Sequence, residues 1–398
     1  MDLLIIAPND FESIEKKSVL YQYENYREGG YFDNIISLFP FTKIDLTRKI
    51  DENKFFYQYG WKSKFHFLNN YKVMKFIGTI IVLFKILFVF PFVIKKHNIK
   101  IIRATDPYLN GLIGLYYSKL FKVPLAISVH SDYDKGDELG GKTFKLFGSR
   151  KTADKLAQFV YKNCDAILPI RDYLKQKIKK KFLFDESKIK IFPHGIDFVE
   201  YDNTTFINVY DYFSIDKELK IISFIARLSK ENYIYDLIDI VEQLSVIRDD
   251  FIVLVLGDGE EYHDLIKLAE RKKISKFIRF FGFQNKDIVV NTRKQSYVSL
   301  SLMGGFSLIE ACAGNRPVIS YDVEWHNELV KDDITGYLIK EHDTKVVVAK
   351  INNLFNNEIL ADKLGNAARD LVLENNNIAN IIKIKQNIYT KIIEEYKC

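Results

Sequence analysis

The stretch Ser299 to Val330, SLSLMGGFSLIEACAGNRPVISYDVEWHNELV, decides how this chain is read. It begins as a short apolar strand and breaks at Gly304-Gly305. It restarts as a helix at Ser307 and turns through Asn315-Arg316-Pro317 into a second strand, Val318 to Tyr321. Strand, glycine turn and helix in that order bring backbone N–H groups and the positive end of a helix dipole to one point, which suits a phosphate. Glu310, one turn into the helix, can accept hydrogen bonds from hydroxyls of whatever carries that phosphate. The same residues also read as a capping box, with Ser307 as N-cap and Glu310 reaching back to its N–H. The rest of the chain has to decide between the two.

At 398 residues the chain exceeds one ordinary core, so two domains are expected. A hydrophobic content of 47% with 28% charged residues is that of a globular protein. A net charge of +6 permits acidic ligands or an anionic membrane surface and does not call for nucleic acid. Cys164, Cys312 and Cys398 are odd in number and far apart, which fits reduced thiols in a cytoplasmic protein. No secretory leader is expected, because the apolar run Leu3 to Ala7 is short and Pro8-Asn9-Asp10 follows at once.

Along the first half, Leu3 to Pro8 reads as a buried parallel strand and Phe32 to Phe39 as a second. Residues 40 to 70 are aromatic and polar without a clear period. Phe76 to Ile94, FIGTIIVLFKILFVFPFVI, approaches the length of a membrane span. Lys85 in its middle, Pro91 as an interruption and lysines at both ends favour a buried or membrane-facing helix instead. Ile99 to Ala104 is a strand, Asp106-Pro107 opens a helix, and Val123 to Val129 is a strand ending in His130-Ser131-Asp132. Ligands of open parallel sheets sit beyond the carboxyl ends of strands. His130, Asp132 and Asp106 are therefore candidates for chemistry, although a loop histidine with no task sits there as readily. The lysines of Lys175 to Lys181 read as a solvated helix face or, with the apolar helix, as a dock for an anionic bilayer. Lys188 to Phe192 is a further strand.

Past a polar stretch, Asn203 to Glu218, the alternation resumes. Leu219 to Ala226, Phe251 to Leu256, Phe277 to Phe281 and Tyr297 to Leu302 are strands with helices between them, and Ile378 to Tyr396 is a closing amphipathic helix. Two βα-repeating halves joined near residue 200 predict an α/β protein of two Rossmann-like domains facing each other across a cleft. Arg227 and Lys230 stand at a strand's carboxyl end, where they could hold a diphosphate, though lone basic loop residues are usually surface charges. The Gly257-Asp258-Gly259 turn lacks a phosphate-loop pattern and reads as tight strand-to-helix geometry.

The ordered pieces IARLSKEN, LVLGDGEE, IRFFGF, SLMGGFSLIEACAGNRPVISYD and NELVKDDITGYLI, from about Glu218 to Glu341, resemble the family 4 retaining glycosyltransferases of the GT-B fold. LIIAP, TDPYLNGLIG, ISVHSDYD, DAILPI and FPHGID extend the likeness more weakly into the first half, and the variant around Gly-Phe-Ser-Leu-Ile-Glu-Ala looks like a bacterial surface-polysaccharide type. The resemblance implies residues 1–200 as an acceptor domain, 201–375 as a nucleotide-sugar donor domain and 376–398 as a helix packing back on the first. It implies Arg227 on the donor diphosphate. The family's following lysine falls at Asn232, so either Lys230 would substitute with its long stem or the second phosphate contact would be weaker. Glu310 would take the ribose hydroxyls, with Gly304, Gly305, Phe306, Ser307 and Leu308 meeting the sugar and β-phosphate. Phe281, Gly282 and Phe283 would receive the nucleobase, and His130 would lie by the reacting carbon. The first glutamate of the family's E-x7-E motif, expected eight residues before Glu310 at Leu302 or, aligned on the Gly-Phe pair, at Gly304, is absent.

The implied activity is metal-independent, retaining transfer of a sugar from a nucleoside-diphosphate sugar to a hydroxyl of a lipid-linked or growing surface glycan, such as lipopolysaccharide or capsule. No cofactor is expected beyond that donor, and no metal, although Asp132-Tyr133-Asp134 spells a DxD. The expected place is cytoplasmic, with peripheral contact to the inner face of the plasma membrane through Phe76-Ile94 and Lys175-Lys181. Two alternatives stand beside it: a catalytically weak nucleotide-sugar-binding scaffold, and an epimerase or hydrolase on the same fold.

Overall fold

The computed structural model describes residues 1–16, 28–62, 72–140, 144 and 147–396. The chain forms two compact units. One comprises Met1–His130, Phe144–Pro193 and Ile382–Cys398, the other Ser131–Thr143 and His194–Ile381. The main junction thus falls at Pro193 rather than near residue 200, and the segment that follows His130 counts with the second unit.

The first unit is a seven-stranded sheet in the order β3-β4-β2-β1-β5-β6-β7. The strands are β1 (Asp2–Ile6), β2 (Asn34–Thr42), β3 (Leu46–Asp51), β4 (Lys54–Gly60), β5 (Ile99–Ala104), β6 (Leu125–Val129) and β7 (Ala166–Pro169). All neighbours are parallel except β3, which pairs antiparallel with β4 at the edge. With β3 set aside, the parallel strands lie in the doubly wound order 3-2-1-4-5-6, whose direction reverses between β1 and β5. The unplaced stretch after residue 40 thus holds β3 and β4; residues 63–71 lie outside the described residues. The expected strand at Lys188 to Phe192 is instead a 3-10 turn, Glu186–Lys188, and an extended segment beside the β7 edge, with one bridge from Ile189 to Ile167 and amide bonds from Lys190 to the Ile167 carbonyl and from Phe192 to the Pro169 carbonyl. The closing helix, Ile378–Glu395, brings Tyr389, Ile392 and Ile393 into the core against Leu3, Phe32 and Phe192. Each such fully buried side chain contributes about 1.5–3 kcal/mol.

The apolar stretch is helical throughout, as Lys72–Phe84, a π-helical segment Lys85–Val89 and Phe90–Ile94. Pro91 does not end it. The preceding π turn absorbs the missing N–H, as such bulges do. By length and composition Phe76–Ile94 could cross a membrane. However, Val82, Ile86, Phe90 and Ile94, four residues apart, are fully buried, and the carbonyls of Ile86 and Leu87 accept from Tyr117 and Tyr116 Oη at 2.6 and 2.7 Å. Phe76, Ile80, Phe84, Phe88 and Phe92 form a second stripe, each half or more exposed. Lys85 ion-pairs with Asp45.

The second unit is an all-parallel sheet, β10-β9-β8-β11-β12-β13. Its strands are β8 (Lys220–Ile225), β9 (Phe251–Leu256), β10 (Ile278–Phe280), β11 (Val298–Leu300), β12 (Val318–Tyr321) and β13 (Gly336–Ile339). β9, FIVLVL, is buried at every position because helices cover both faces of a parallel sheet. In chain order this is again 3-2-1-4-5-6, reversing between β8 and β11. The carboxyl ends of those two strands open the crevice where such sheets bind ligands. The polar stretch from Asn203 contains a short helix, Val209–Tyr212.

Candidate functional site

The loop after β8 and the turn after β11 meet at this switch point. Ser307 Oγ donates to the carbonyl of Ile225, the last residue of β8, at 2.9 Å. The helix after β11 runs Phe306–Ala313, with Gly305 at its N-cap and no side-chain cap. This corrects the capping-box reading: Ser307 lies inside the helix, its hydroxyl is committed to Ile225, and Glu310 turns elsewhere. Glu310 Oε2 accepts from Arg293 Nη1 at 2.5 Å, and Arg293 Nη2 donates to Ser307 Oγ at 2.9 Å. Arg293 comes from the helix Lys286–Gln295 and is buried, while Glu310 stays partly exposed. A buried fork therefore fixes the carboxylate and leaves one edge of it turned outward. The hydroxyl of Tyr201 donates to the Glu310 carbonyl at 3.1 Å.

Gly304 is held from behind by His326, which is fully buried. The Gly304 N–H lies 3.2 Å from His326 Nε2, Nδ1 lies 2.7 Å from Ser320 Oγ, and Ser320 Oγ donates to the Ser301 carbonyl at 2.7 Å. Nδ1 also lies 3.0 Å from the Tyr321 carbonyl and Nε2 3.1 Å from the Gly304 carbonyl, so either neutral tautomer hydrogen-bonds the Gly304 backbone. Burial pushes the His326 imidazole down to about 4, so it stays neutral. There is no room for a side chain at Gly304, since a Cβ would sit 2.7 Å from Ser301 Oγ and 2.8 Å from Leu308 Cβ. Leu302 is buried in the core. Both positions at which the family's first acid would fall are therefore closed to a carboxylate. At Gly305, by contrast, a Cβ meets nothing within 4 Å.

Arg227 projects into solvent two residues beyond β8 and pairs with Glu260 at 2.9 Å, and Lys230 lies 4.0 Å from Glu261. Exposed pairs of this kind contribute little, so an incoming diphosphate can replace the carboxylates. Asn232 shapes the loop: its Nδ2 donates to the Arg227 carbonyl at 2.8 Å and to Ser229 Oγ at 3.2 Å. Gly257 and Gly259 pack onto this loop so closely that a Cβ would strike the carbonyls of Ala226 and Leu228, which gives them a packing role. Phe281 stacks on Phe213 with centroids 4.0 Å apart, Gly282 has φ +65°, and Phe283 lies exposed beyond them.

In the first unit, His130 follows β6 and lines a cavity. Burial, then the charges of Arg103 and Lys385, push its pKa down to about 4. Asp106 accepts from Tyr108 N at 2.8 Å and from Asn110 Nδ2, and burial raises its pKa. Asp132, in the segment that counts with the second unit, caps the helix Tyr133–Glu138 by accepting from the amides of Asp134 and Lys135. Both carboxylates thus work as local caps. The lysine run lies on the helix Asp172–Lys181, where Lys175, Lys179 and Lys181 pair with Asp172, Glu186 and Asp154, and the solvated-face reading fits these contacts. Sequence reasoning missed Arg293 and the task of His326. An arginine on the helix leading into β11 was the available signal for the first. For the second it was a histidine a few residues beyond β12.

Two Rossmann-type sheets, the second with its loop arginine, glycine turn and partly exposed glutamate at the switch point, are the architecture of a class of sugar-transferring enzyme. Residues 212–371 match the family model for glycosyl transferases group 1, and residues 70–200 match that for glycosyltransferase family 4. The chain belongs to the family 4 glycosyltransferases and has the GT-B fold. The poly(ribitol-phosphate) alpha-N-acetylglucosaminyltransferase of Staphylococcus aureus (strain COL) is 28% identical over 174 residues, 43% of this chain and 35% of that relative, so about a third of its length is spanned. The alpha-monoglucosyldiacylglycerol synthase of Acholeplasma laidlawii is 24% identical over 303 residues, 71% of this chain and 74% of the relative. The structure of Anabaena HepE in complex with UDP is similar with a TM-score of 0.72 at 13% identity, covering 98% of this chain and all of that one.

Proposed function

We propose that this glycosyltransferase moves a sugar from a nucleoside diphosphate to a hydroxyl of a lipid-linked or growing surface glycan, with retention of anomeric configuration and without a metal. The observation that carries the donor half is the switch point of the second unit. A side-chain-uncapped helix start at Phe306, the Arg227 guanidinium and an outward edge of Glu310 converge there on one crevice. Arg227, Lys230 and the helix dipole would stabilise charge on the departing diphosphate, which itself helps deprotonate the acceptor in a front-face displacement. His130, neutral above about 4, would bind the sugar as a hydrogen-bonding partner rather than as a proton source. Among the described residues no group of three His, Cys, Asp or Glu side chains is placed to hold a metal ion. One structural neighbour binds UDP, and a diacylglycerol and poly(ribitol-phosphate) figure in the names of two relatives.

The acceptor half draws on the helix Phe76–Ile94. Its buried stripe anchors it to the first unit and its exposed aromatic stripe faces outward, the arrangement of a helix lying in a bilayer interface. The enzyme would then work peripherally on the cytoplasmic face of the plasma membrane. Incubation with labelled sugar nucleotides and a bacterial lipid extract tests the reading. Label appearing in an extractable glycolipid with the donor's anomeric configuration is the expected result. Free sugar alone would mark a hydrolase, and nucleotide binding without any turnover would mark a scaffold.

A further inference from the structure

The first unit carries a cavity of about 410 Å³ that, His130 apart, takes no part in the proposed donor site, within the range of about 300–1,000 Å³ typical of small-molecule sites. It lies at that sheet's own switch point. Ala7, Pro8 and Asn9 follow β1 on its wall, Thr105 follows β5, and His130 follows β6. From there it runs over the sheet face, past Ile5, Ile35, Phe39 and Phe56, to Lys54 at the start of β4. Two of its twelve lining residues, Lys54 and Arg103, are cations, and none is acidic. Both are buried. Lys54 Nζ pairs with Asp51 at 2.7 Å; Arg103 Nη1 meets Glu28 at 3.2 Å and Tyr389 Oη at 2.5 Å. Glu28 is shared with Lys385 Nζ at 3.6 Å. The carboxylate partners are not among the lining residues, so the wall offers a ligand apolar surface, the neutral polar groups of Asn9, Ser37, Thr105 and His130, and two cations. Lys54 is buried among isoleucines and phenylalanines while its partner Asp51 stays more than a third exposed and can be hydrated without it, so burying the ammonium there is unfavourable for folding alone.

We propose that this cavity seats a phosphate ester of the acceptor, with the phosphate toward Lys54 and Arg103 and the acceptor's apolar part along Ile5, Ile35, Phe39 and Phe56. The inference rests on the acceptor reading above and names its substrate class. The phosphate can belong to a lipid carrier or to a free phosphorylated sugar, and the apolar wall favours the lipid.

The test is titration calorimetry of the full chain with a short-chain prenyl phosphate, the corresponding prenyl alcohol and a hexose phosphate, with UDP titrated separately. The prenyl phosphate should saturate one site, with the alcohol at least about tenfold weaker. Lys54→Met should weaken phosphate binding about tenfold while leaving the melting temperature equal or higher, a combination that a purely structural lysine would not give. Ser37→Phe, which fills the cavity from its floor, should abolish binding with UDP affinity unchanged. Saturable binding of either phosphate that Lys54→Met weakens supports the site, and the tighter ligand identifies the source. Absence of saturable binding by both, equal binding of alcohol and phosphate, or indifference to Lys54→Met overturns it. If UDP fails to bind while the phosphate does, the donor reading falls and the cavity assignment stands.

Discussion

His326 and Gly304 carry the sharpest tests at the level of single residues. Because a Cβ at Gly304 collides with Ser301 and Leu308 while one at Gly305 meets open space, Gly304→Ala should lower stability by about 1–3 kcal/mol and impair donor binding. Gly305→Ala should leave stability unchanged, and equal effects in urea melts would contradict the geometry. His326 gives a pH dependence. Its imidazole ordinarily titrates near 6.5 and burial lowers it to about 4, so between those values the unfolded chain binds more protons than the folded one. Stability therefore falls as pH drops through that window, by about 3 kcal/mol for this residue when complete. His130, also lowered to about 4, adds a loss of the same sign. Urea midpoints measured at neutral pH and midway through the window, on wild type and His326→Gln, should show the slope shrinking in the variant. The site's chemistry was only half legible at this scale. Glu310 and Arg227 stand in motifs of the chain, but what orients Glu310 is a buried guanidinium seventeen residues upstream. Arg293→Met should weaken UDP binding about tenfold, because it leaves Glu310 without the charge-assisted bond that aims it.

Among the elements, the helix Phe76–Ile94 shows where sequence reading stops. Its nineteen residues are apolar almost all round, so periodicity could not say which stripe faces the core. Packing decides it, with Val82, Ile86, Phe90 and Ile94 inward and Phe76 through Phe92 at four-residue steps outward. Ile86→Ala should therefore cost about 2–5 kcal/mol. Phe84→Asp with Phe88→Asp should leave the melt intact and abolish sedimentation with anionic liposomes. Unchanged sedimentation would remove the interfacial role. Strands divided the same way. β9 was legible because six consecutive apolar residues fit a strand covered on both faces. β4 was not, because Lys54 and Gln58 are buried polar residues serving a cavity and a loop, and they broke the hydrophobic pattern. Lys188 to Phe192 alternates like a strand, yet it finds only one bridge to pair with.

The whole molecule repeats one architectural device: each unit is a doubly wound sheet, and each carries its candidate site where the strand order reverses. That repetition explains why the family could be read from scattered short motifs, since most of the motifs run into the loops at the carboxyl ends of those strands. On the function proposed above, it would also separate the work, with the diphosphate in the second unit and the acceptor in the first. The central claim is that the second unit binds a nucleoside diphosphate through Arg227 and Glu310. The most direct measurement is a thermal-shift panel with UDP, GDP, ADP and dTDP on wild type, Arg227→Ala and Glu310→Ala. One nucleotide at about a hundred times its Kd should stabilise the wild type by about 2.7 kcal/mol, with the shift reduced in both variants. No shift with any of the four, or a shift that both variants retain in full, would contradict the account.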